Sequence, residues 1–248
     1  MEEKLWHKSY AEGVPKTLDY EEITISQALT RSAKNYPNNT ALNYMGKLIT
    51  YAELDKLVNS FARALQAEGI QPGDKVAVCL PNIPQVIIAN LAVFRVGAVT
   101  VQVNPLYTER ELAYQINDAD ARLVVTLTLL IPRMEKIKPE TKLEKIIGCH
   151  INTFLPFPKK QLFPLVKKAM YRKVVPTETV KVFKDLIGQQ SSGPMDDLSQ
   201  WDQLGALLYT GGTTGVSKGV MLTHANLSCN VQQFIAWFPD LKPGEERL

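Results

Sequence analysis

Between residues 50 and 151, short apolar runs alternate repeatedly with longer amphipathic segments, and few folds fit such a pattern. The runs at 75–80, 98–103 and 123–131 contain few polar residues, which is typical of strands buried on both faces. Segments of helical periodicity separate them. The alternation predicts βαβ units, and therefore an α/β fold with a doubly wound, mostly parallel sheet and helices on both faces.

Local sequence signals support two of these helices. Thr50 and Glu53 have the spacing of a capping box, an apolar stripe follows, and Gly69 supplies an end. Thr108 and Glu111 repeat the capping box later in the chain. In a capping box, the two side chains satisfy backbone N–H groups at the start of a helix. We therefore predict helices that begin directly after Thr50 and Thr108.

Composition excludes several classes of protein. The net charge of the 248 residues is only +3, which does not favour nucleic acid as a partner. The three cysteines are far apart and lack the spacing of a zinc site or a disulfide framework. No stretch of about 20 uncharged apolar residues is present. With no leader recognisable at the N-terminus, these features favour a cytoplasmic protein.

A basic insertion interrupts the alternation at about 152–185. Between Arg133 and Asp185 there are 13 basic and 5 acidic residues. Five apolar residues of this insertion fall on one helical face: Leu162, Leu165, Val166, Ala169 and Met170. Such a face packs against its own domain, which is the interpretation we favour, or it lies on an anionic membrane surface through 159–173. The second interpretation predicts peripheral contact with the inner face of the membrane.

A polar stretch at 189–197 predicts a subdomain boundary. We assign 1–195 to an N-terminal α/β subdomain and 200–248 to the start of a second one. Within the second, a glycine- and threonine-rich loop at 209–219 follows an apolar strand. Glycines expose backbone N–H groups, hydroxyls add donors and Lys218 adds a positive charge, so this composition suits a polyphosphate.

The loop has neither the Walker spacing nor a GxGxxG pattern, which argues against a kinase, a GTPase or a dinucleotide-binding protein. A glycine-rich hairpin without a ligand is the alternative. However, YTGGTTGVSKG at 209–219 resembles the signature loop of the adenylate-forming (AMP-binding) superfamily. Ser217 stands where many members have proline. The blocks at 48–54, 73–82 and 94–125 are also similar to the family, so the resemblance covers the whole chain.

Within the superfamily, the chain most resembles bacterial long-chain fatty acid CoA ligases. The segments that carry this resemblance are the loop and the insertion FLPFPKKQLFPLVKK. The resemblance implies the N-terminal subdomain of the adenylate-forming fold, with the mobile C-terminal domain absent. It implies activation of a long-chain fatty acid by ATP, with Mg²⁺, to acyl-AMP and pyrophosphate, and then transfer to CoA. A homodimer is a further expectation.

The same resemblance assigns the residues of the phosphate site. The nucleotide-binding residues would be Tyr209, Thr210, Gly211, Gly212, Thr213, Thr214, Gly215, Lys218 and Gly219. Thr214 and Lys218 would also act in catalysis, by neutralising the charge that develops on the leaving pyrophosphate. No residue is assigned as a metal ligand.

Family members are considerably longer, so we expect an N-terminal portion that is incomplete for catalysis. A fatty acyl-AMP ligase and an aryl-CoA ligase use the same loop and remain alternatives, as does a non-enzymatic, truncated membrane-binding module. Beyond the loop, we expect His224 to join Thr223 in capping a helix rather than to face the active site. Trp237 and Phe238 are expected to be core residues rather than the lining of an acyl channel.

Overall fold

A computed structural model describes residues 4–210 and 217–241 of the chain. Over this part the fold is α/β, as the sequence predicts. The helices are α1 Ile25–Asn35, α2 Tyr51–Ala67, α3 Pro84–Arg95, α4 Glu109–Asp118, α5 Ile131–Ile137, α6 Lys159–Val166, α7 Phe183–Gln189 and α8 His224–Ala236. The strands are β1 Thr40–Tyr44, β2 Lys47–Thr50, β3 Lys75–Cys79, β4 Val99–Gln102, β5 Ala121–Leu127, β6 Lys145–Cys149, β7 Val180–Val182, β8 Leu204–Thr210 and β9 Lys218–Thr223.

The main sheet has seven strands in the order β7-β6-β5-β3-β4-β8-β9. Strands β3 to β8 are all parallel to one another, and the edge strand β9 is antiparallel to β8. The chain builds outward from β3 in both directions, which is the doubly wound topology. A separate hairpin of β1 and β2 turns at Met45 and Gly46, both with positive φ.

Successive side chains of β3 enter two different cores. Val76 and Val78 pack with α1, α2, α3 and α7 on one face, whereas Ala77 and Cys79 pack with α4 and α5 on the other. Because side chains alternate across a strand, a run that is apolar at every position fits a strand covered on both faces. The mostly parallel sheet with helices on both faces is thus confirmed.

Both predicted capping boxes are confirmed. The side chain of Thr50 accepts a hydrogen bond from the backbone N–H of Glu53, and the carboxylate of Glu53 accepts one from the N–H of Thr50. Thr108 and Glu111 make the same reciprocal pair. Gly69 adopts a φ of +90° after the last turn of α2, a conformation that favours glycine.

The basic insertion differs from the favoured prediction. Its amphipathic part forms α6 and a short 3-10 turn at Lys168–Met170, and no residue of either element is buried. Leu165 and Val166 are 67% and 70% exposed. The apolar stripe therefore does not pack against its own domain. Periodicity showed that the segment is amphipathic but carried no information about what covers it.

The predicted core position of Trp237 and Phe238 is also wrong. Both side chains are 49% exposed, just after α8. Trp237 contacts the ring of Tyr10 at 4.9 Å between centroids, and Phe238 contacts Phe234 at 4.8 Å. These rings form surface clusters on α8 rather than part of either core.

A buried arginine joins three helices at the start of the fold. Arg95, at the end of α3, is 1% exposed. Its guanidinium donates hydrogen bonds to side chains of α1 and α2: those of Ser26, Thr30 and Asn59. Its charge is balanced by Asp55 at 2.9 Å and by Asp197 at 3.9 Å. Arg95 thereby also fixes the segment that leads to β8.

That segment lies against the N-terminal helices, since the guanidinium of Arg63 donates to the carbonyl oxygens of Ser191, Gly193 and Pro194. Strand β8 then pairs with β4 and continues the same sheet. The subdomain boundary at 195–200 stays a prediction. Among the described residues, no helix is both long enough and apolar enough to cross a bilayer.

Candidate functional site

The two stems of the glycine-rich loop are adjacent strands at one side of the sheet. Strand β8 ends at Thr210, β9 begins at Lys218, and these two residues face each other in register. The hydroxyl of Ser217 donates to the carbonyl oxygen of Thr210 at 2.5 Å. Because β8 is parallel to β4, the loop leaves at the carboxyl edge of the sheet, where open α/β sheets bind ligands.

Helix α4 holds both stems. The hydroxyl of Tyr114 donates to the carbonyl oxygen of Ser217 at 2.9 Å. One turn further along the helix, Asp118 accepts a hydrogen bond of 2.6 Å from the hydroxyl of Tyr209. Residues four apart lie on one helix face, so a single face of α4 fixes the end of one stem and the start of the other.

Tyr209 and Gly219 fit together at the base of the loop. A Cβ atom at Gly219 would lie 3.2 Å from Cζ of Tyr209, so the glycine leaves room for the ring. Burial raises the pKa of the Tyr209 phenol, and the hydrogen bond to Asp118 raises it further. Tyr209 is therefore neutral, and its hydroxyl donates the hydrogen bond to Asp118. Sequence reasoning assigned both residues to the nucleotide, and the structure places them in contact with each other.

Lys218 is the cation at the mouth of the loop. It is exposed, and it forms no ion pair with any residue of 4–210 or 217–241. A lysine without a carboxylate partner beside a glycine-rich loop is free to bind an anion. Thr210 is likewise exposed at the end of β8. The remaining predicted site residues lie outside the described residues: Gly211, Gly212, Thr213, Thr214 and Gly215.

His224 begins α8 directly behind β8. Thr223 is the N-cap residue, and its hydroxyl accepts from the N–H of Asn226, so the capping prediction is confirmed for Thr223. The imidazole of His224 does not cap the helix. It is 1% exposed, lies edge-on to Phe94 and covers Gly205, whose Cβ position would be 3.0 Å from the ring.

This burial lowers the pKa of His224. Its Nδ1 atom has no hydrogen-bond partner among the described residues. The neutral ring thus serves as packing between α3, α8 and the strand that leads to the loop.

Metal ligands are not gathered in the described part of the chain. Over residues 4–210 and 217–241, no three histidine, cysteine, aspartate or glutamate side chains come together as a possible ion site.

The contacts made by α4 were missed by the sequence reasoning. Tyr114 and Ser217 are 103 residues apart, and Asp118 and Tyr209 are 91 apart. No local pattern marks such pairs. The capping box at Thr108 and Glu111 was the one signal that placed a helix there, and it did not indicate the partner of that helix.

Comparison with known proteins is consistent with this geometry. Residues 29–246 match the sequence model of the AMP-binding enzyme family. The chain therefore belongs to the AMP-binding enzymes, the class that the α/β fold and the glycine-rich loop define.

Among these enzymes, the chain is similar to bacterial long-chain-fatty-acid–CoA ligases. It is 36% identical to the one from Bacillus subtilis, a match that covers 99% of this chain and 44% of the relative. It is 35% identical to the one from Haemophilus influenzae, over 93% of this chain and 42% of the relative. The chain thus spans less than half the length of these relatives.

Solved structures share the fold. The crystal structure of a long-chain-fatty-acid–CoA ligase from Archaeoglobus fulgidus superposes with a TM-score of 0.72 at 23% identity, covering 92% of this chain and 42% of that one. An anthranilate CoA ligase in complex with anthranoyl-AMP gives 0.71 at 22% identity, covering 85% and 36%. At these identities the likeness concerns the fold alone.

Proposed function

We propose that this chain is the N-terminal, phosphate-binding part of a long-chain fatty acid CoA ligase. In the proposed reaction, a fatty acid carboxylate attacks the α-phosphorus of ATP and pyrophosphate leaves. The CoA thiol then attacks the acyl carbonyl carbon and displaces AMP. The identities with named long-chain fatty acid ligases support the choice of substrate. A fatty acyl-AMP ligase would share the first step, so the CoA acceptor rests on those same relatives.

The single observation that carries the proposal is the position of Lys218, which forms no ion pair within the described ranges and lies at the mouth of a loop whose two stems are fixed by α4. A stem that is already held in place loses little entropy when the phosphates bind, and this is how positioning contributes to catalysis. Lys218 would bind the β- and γ-phosphates and stabilise the charge that moves onto pyrophosphate. Mg²⁺ would arrive with ATP, on the phosphate oxygens.

Isothermal calorimetry with ATP, pyrophosphate and AMP tests this role. We expect the full chain to bind ATP and pyrophosphate but to bind AMP poorly, because the contacts are to the outer phosphates. Lys218→Ala should weaken ATP binding tenfold or more, since a hydrogen bond to a charged group contributes about 1.5–3 kcal/mol. Lys47→Ala, an exposed lysine in the β1–β2 hairpin, is the matched control. Equal ATP affinity of the two variants would refute the assignment.

We also propose that the protein is cytoplasmic and makes a peripheral membrane contact through 159–173, at the inner face of the membrane. The observation that favours it is the exposed stripe on α6, at Leu162, Leu165 and Val166, flanked by lysines. Apolar groups beside basic groups suit an anionic lipid surface. Leu165→Ser/Val166→Ser should reduce co-sedimentation with anionic vesicles, and undiminished co-sedimentation would contradict the contact. The homodimer stays a prediction.

A further inference from the structure

A cleft lies at the carboxyl ends of β6 and β7, at the far side of the sheet from the glycine-rich loop. Its volume is about 240 Å³, and its lining includes Lys160, Lys173 and Lys184. We call it the lysine cleft. All three lysines belong to the basic insertion, but to different parts of it: Lys160 lies in α6, Lys173 follows the 3-10 turn, and Lys184 lies in α7 directly after β7. The fold of the insertion therefore brings three lysines together at one concavity.

The lysine cleft has an excess of positive charge. None of its three lysines forms an ion pair with a carboxylate anywhere in the described ranges. Among the described residues, Asp185 is the one acid in the lining. Lysines that already had carboxylate partners would gain little from an anion, so their lack of partners favours an anionic ligand.

An ordered aromatic wall gives the lysine cleft a fixed shape. The ring of His150, directly after β6, stacks on Tyr171 with centroids 5.0 Å apart. Its Nε2–H donates to the carbonyl oxygen of Arg172 at 3.0 Å. Burial lowers the pKa of His150, so the imidazole is neutral near pH 7. The lysines, and not the histidine, supply the charge of the cleft.

The insertion that forms one side of the cleft also carries exposed apolar side chains. Phe157 is 82% exposed, and Leu165 and Val166 in α6 are 67% and 70% exposed. A free phosphate would use the lysines but leave these side chains in water. A phospholipid surface satisfies both, because headgroup phosphates and acyl chains lie side by side at its boundary. Charge and apolar exposure together therefore identify one occupant.

We propose that the lysine cleft binds the headgroup phosphate of an anionic phospholipid while the exposed apolar side chains of α6 enter the lipid layer. This inference rests on the membrane contact proposed above and names its lipid ligand. The lysine cleft and the glycine-rich loop both lie at the carboxyl ends of the parallel strands, but beside different strands. Four strand spacings of about 4.8 Å separate β6 from β8, so membrane attachment is about 20 Å from the loop.

The test is vesicle co-sedimentation of the full chain at matched surface charge. One set of vesicles contains phosphatidic acid, whose phosphate is accessible, and the other contains phosphatidylserine, adjusted to the same zeta potential. We expect several-fold tighter binding to phosphatidic acid. The variant Lys160→Gln/Lys173→Gln/Lys184→Gln should lose this preference and bind phosphatidic acid vesicles at least tenfold more weakly.

A matched control separates the cleft from general surface charge. Lys159→Gln/Lys167→Gln/Lys168→Gln removes the same charge from exposed lysines of the insertion that do not line the cleft. This variant should keep the preference for phosphatidic acid. Equal losses in the two variants, or a preference that survives in the cleft variant, would overturn the inference and leave the membrane contact standing. Wild-type chain that binds neither vesicle would instead refute the membrane contact itself. Circular dichroism confirms that each variant is folded.

Discussion

Replacing Arg95 by methionine should destabilise the chain strongly. Arg95 is 1% exposed, and its guanidinium is the shared ion-pair partner of two carboxylates, those of Asp55 and Asp197. Oδ1 of Asp55 and Oδ2 of Asp197 accept no hydrogen bond from the described residues, so Arg95 is their electrostatic partner. Methionine keeps most of the apolar stem but leaves both acids without a counter-charge.

The magnitude follows from the geometry. Breaking a buried ion pair by removing one partner costs about 3–5 kcal/mol. The side chains of Asp55 and Asp197 keep 20% and 15% exposure, and water reduces the penalty, so we expect about 3 kcal/mol. Since domains have a total stability of about 5–15 kcal/mol, this loss is readily measured.

The assay is urea unfolding followed by circular dichroism. Arg31→Met is the matched control, because it removes the same charge from an exposed site. Arg31 pairs with Glu21, and both side chains are more than half exposed. Such surface pairs contribute about 0–1 kcal/mol. Should Arg95→Met fail to fold, Arg95→Lys gives a measurable intermediate loss, since it keeps the charge and loses the planar fork. A difference below about 1 kcal/mol between Arg95→Met and the control would refute the reasoning.

Three further predictions concern the loop and the buried titratable groups. Tyr114→Phe removes the hydrogen bond from α4 to Ser217 in the second stem, so the ATP affinity measured by calorimetry should fall about two- to tenfold. Unchanged affinity would show that α4 does not position the loop. Burial lowers the pKa of His224 in the folded chain below its ordinary 6.5. As the pH falls, this histidine is therefore protonated in the unfolded chain before it is protonated in the folded one. The free energy of unfolding should fall as the pH drops below about 6.5. His224→Gln should flatten that dependence in urea titrations from pH 7 to 5, and equal slopes would contradict it. Finally, the partly exposed thiol of Cys229 should react quickly with a thiol reagent at pH 8. Cys79 and Cys149 are buried, which raises the pKa of both thiols and should protect them until urea unfolds the chain. A second fast-reacting thiol in the folded chain would contradict the fold.

Local chemistry made much of the fold predictable from the sequence. The capping boxes at Thr50 and Thr108 depend on residues three apart, and the all-apolar β3 depends only on its own side chains. The sequence did not predict which other surface, if any, each apolar face contacts. Leu165 and Trp237 lie on amphipathic segments, yet both side chains are exposed, because periodicity gives the direction of a face and not what contacts it.

The candidate site divides in the same way. The strand, loop and strand around Lys218 could be predicted, since glycines and hydroxyls in order have a chemical meaning of their own. The hydrogen bonds from Tyr114 and Asp118 could not, because they depend on β8 pairing with β4 and thereby coming to lie beside α4.

The pairing of β4 with β8 has a consequence for how the chain folds. Val101 lies beside Leu207, so more than 100 residues of chain must emerge before the outer edge of β4 is covered. Strands β3 to β7 can assemble on the ribosome while that edge still presents unpaired N–H and C=O groups. Distant pairings of this kind form slowly, and unpaired strand edges recruit other chains. Nascent chains stalled before residue 204 should therefore be the species that requires a chaperone.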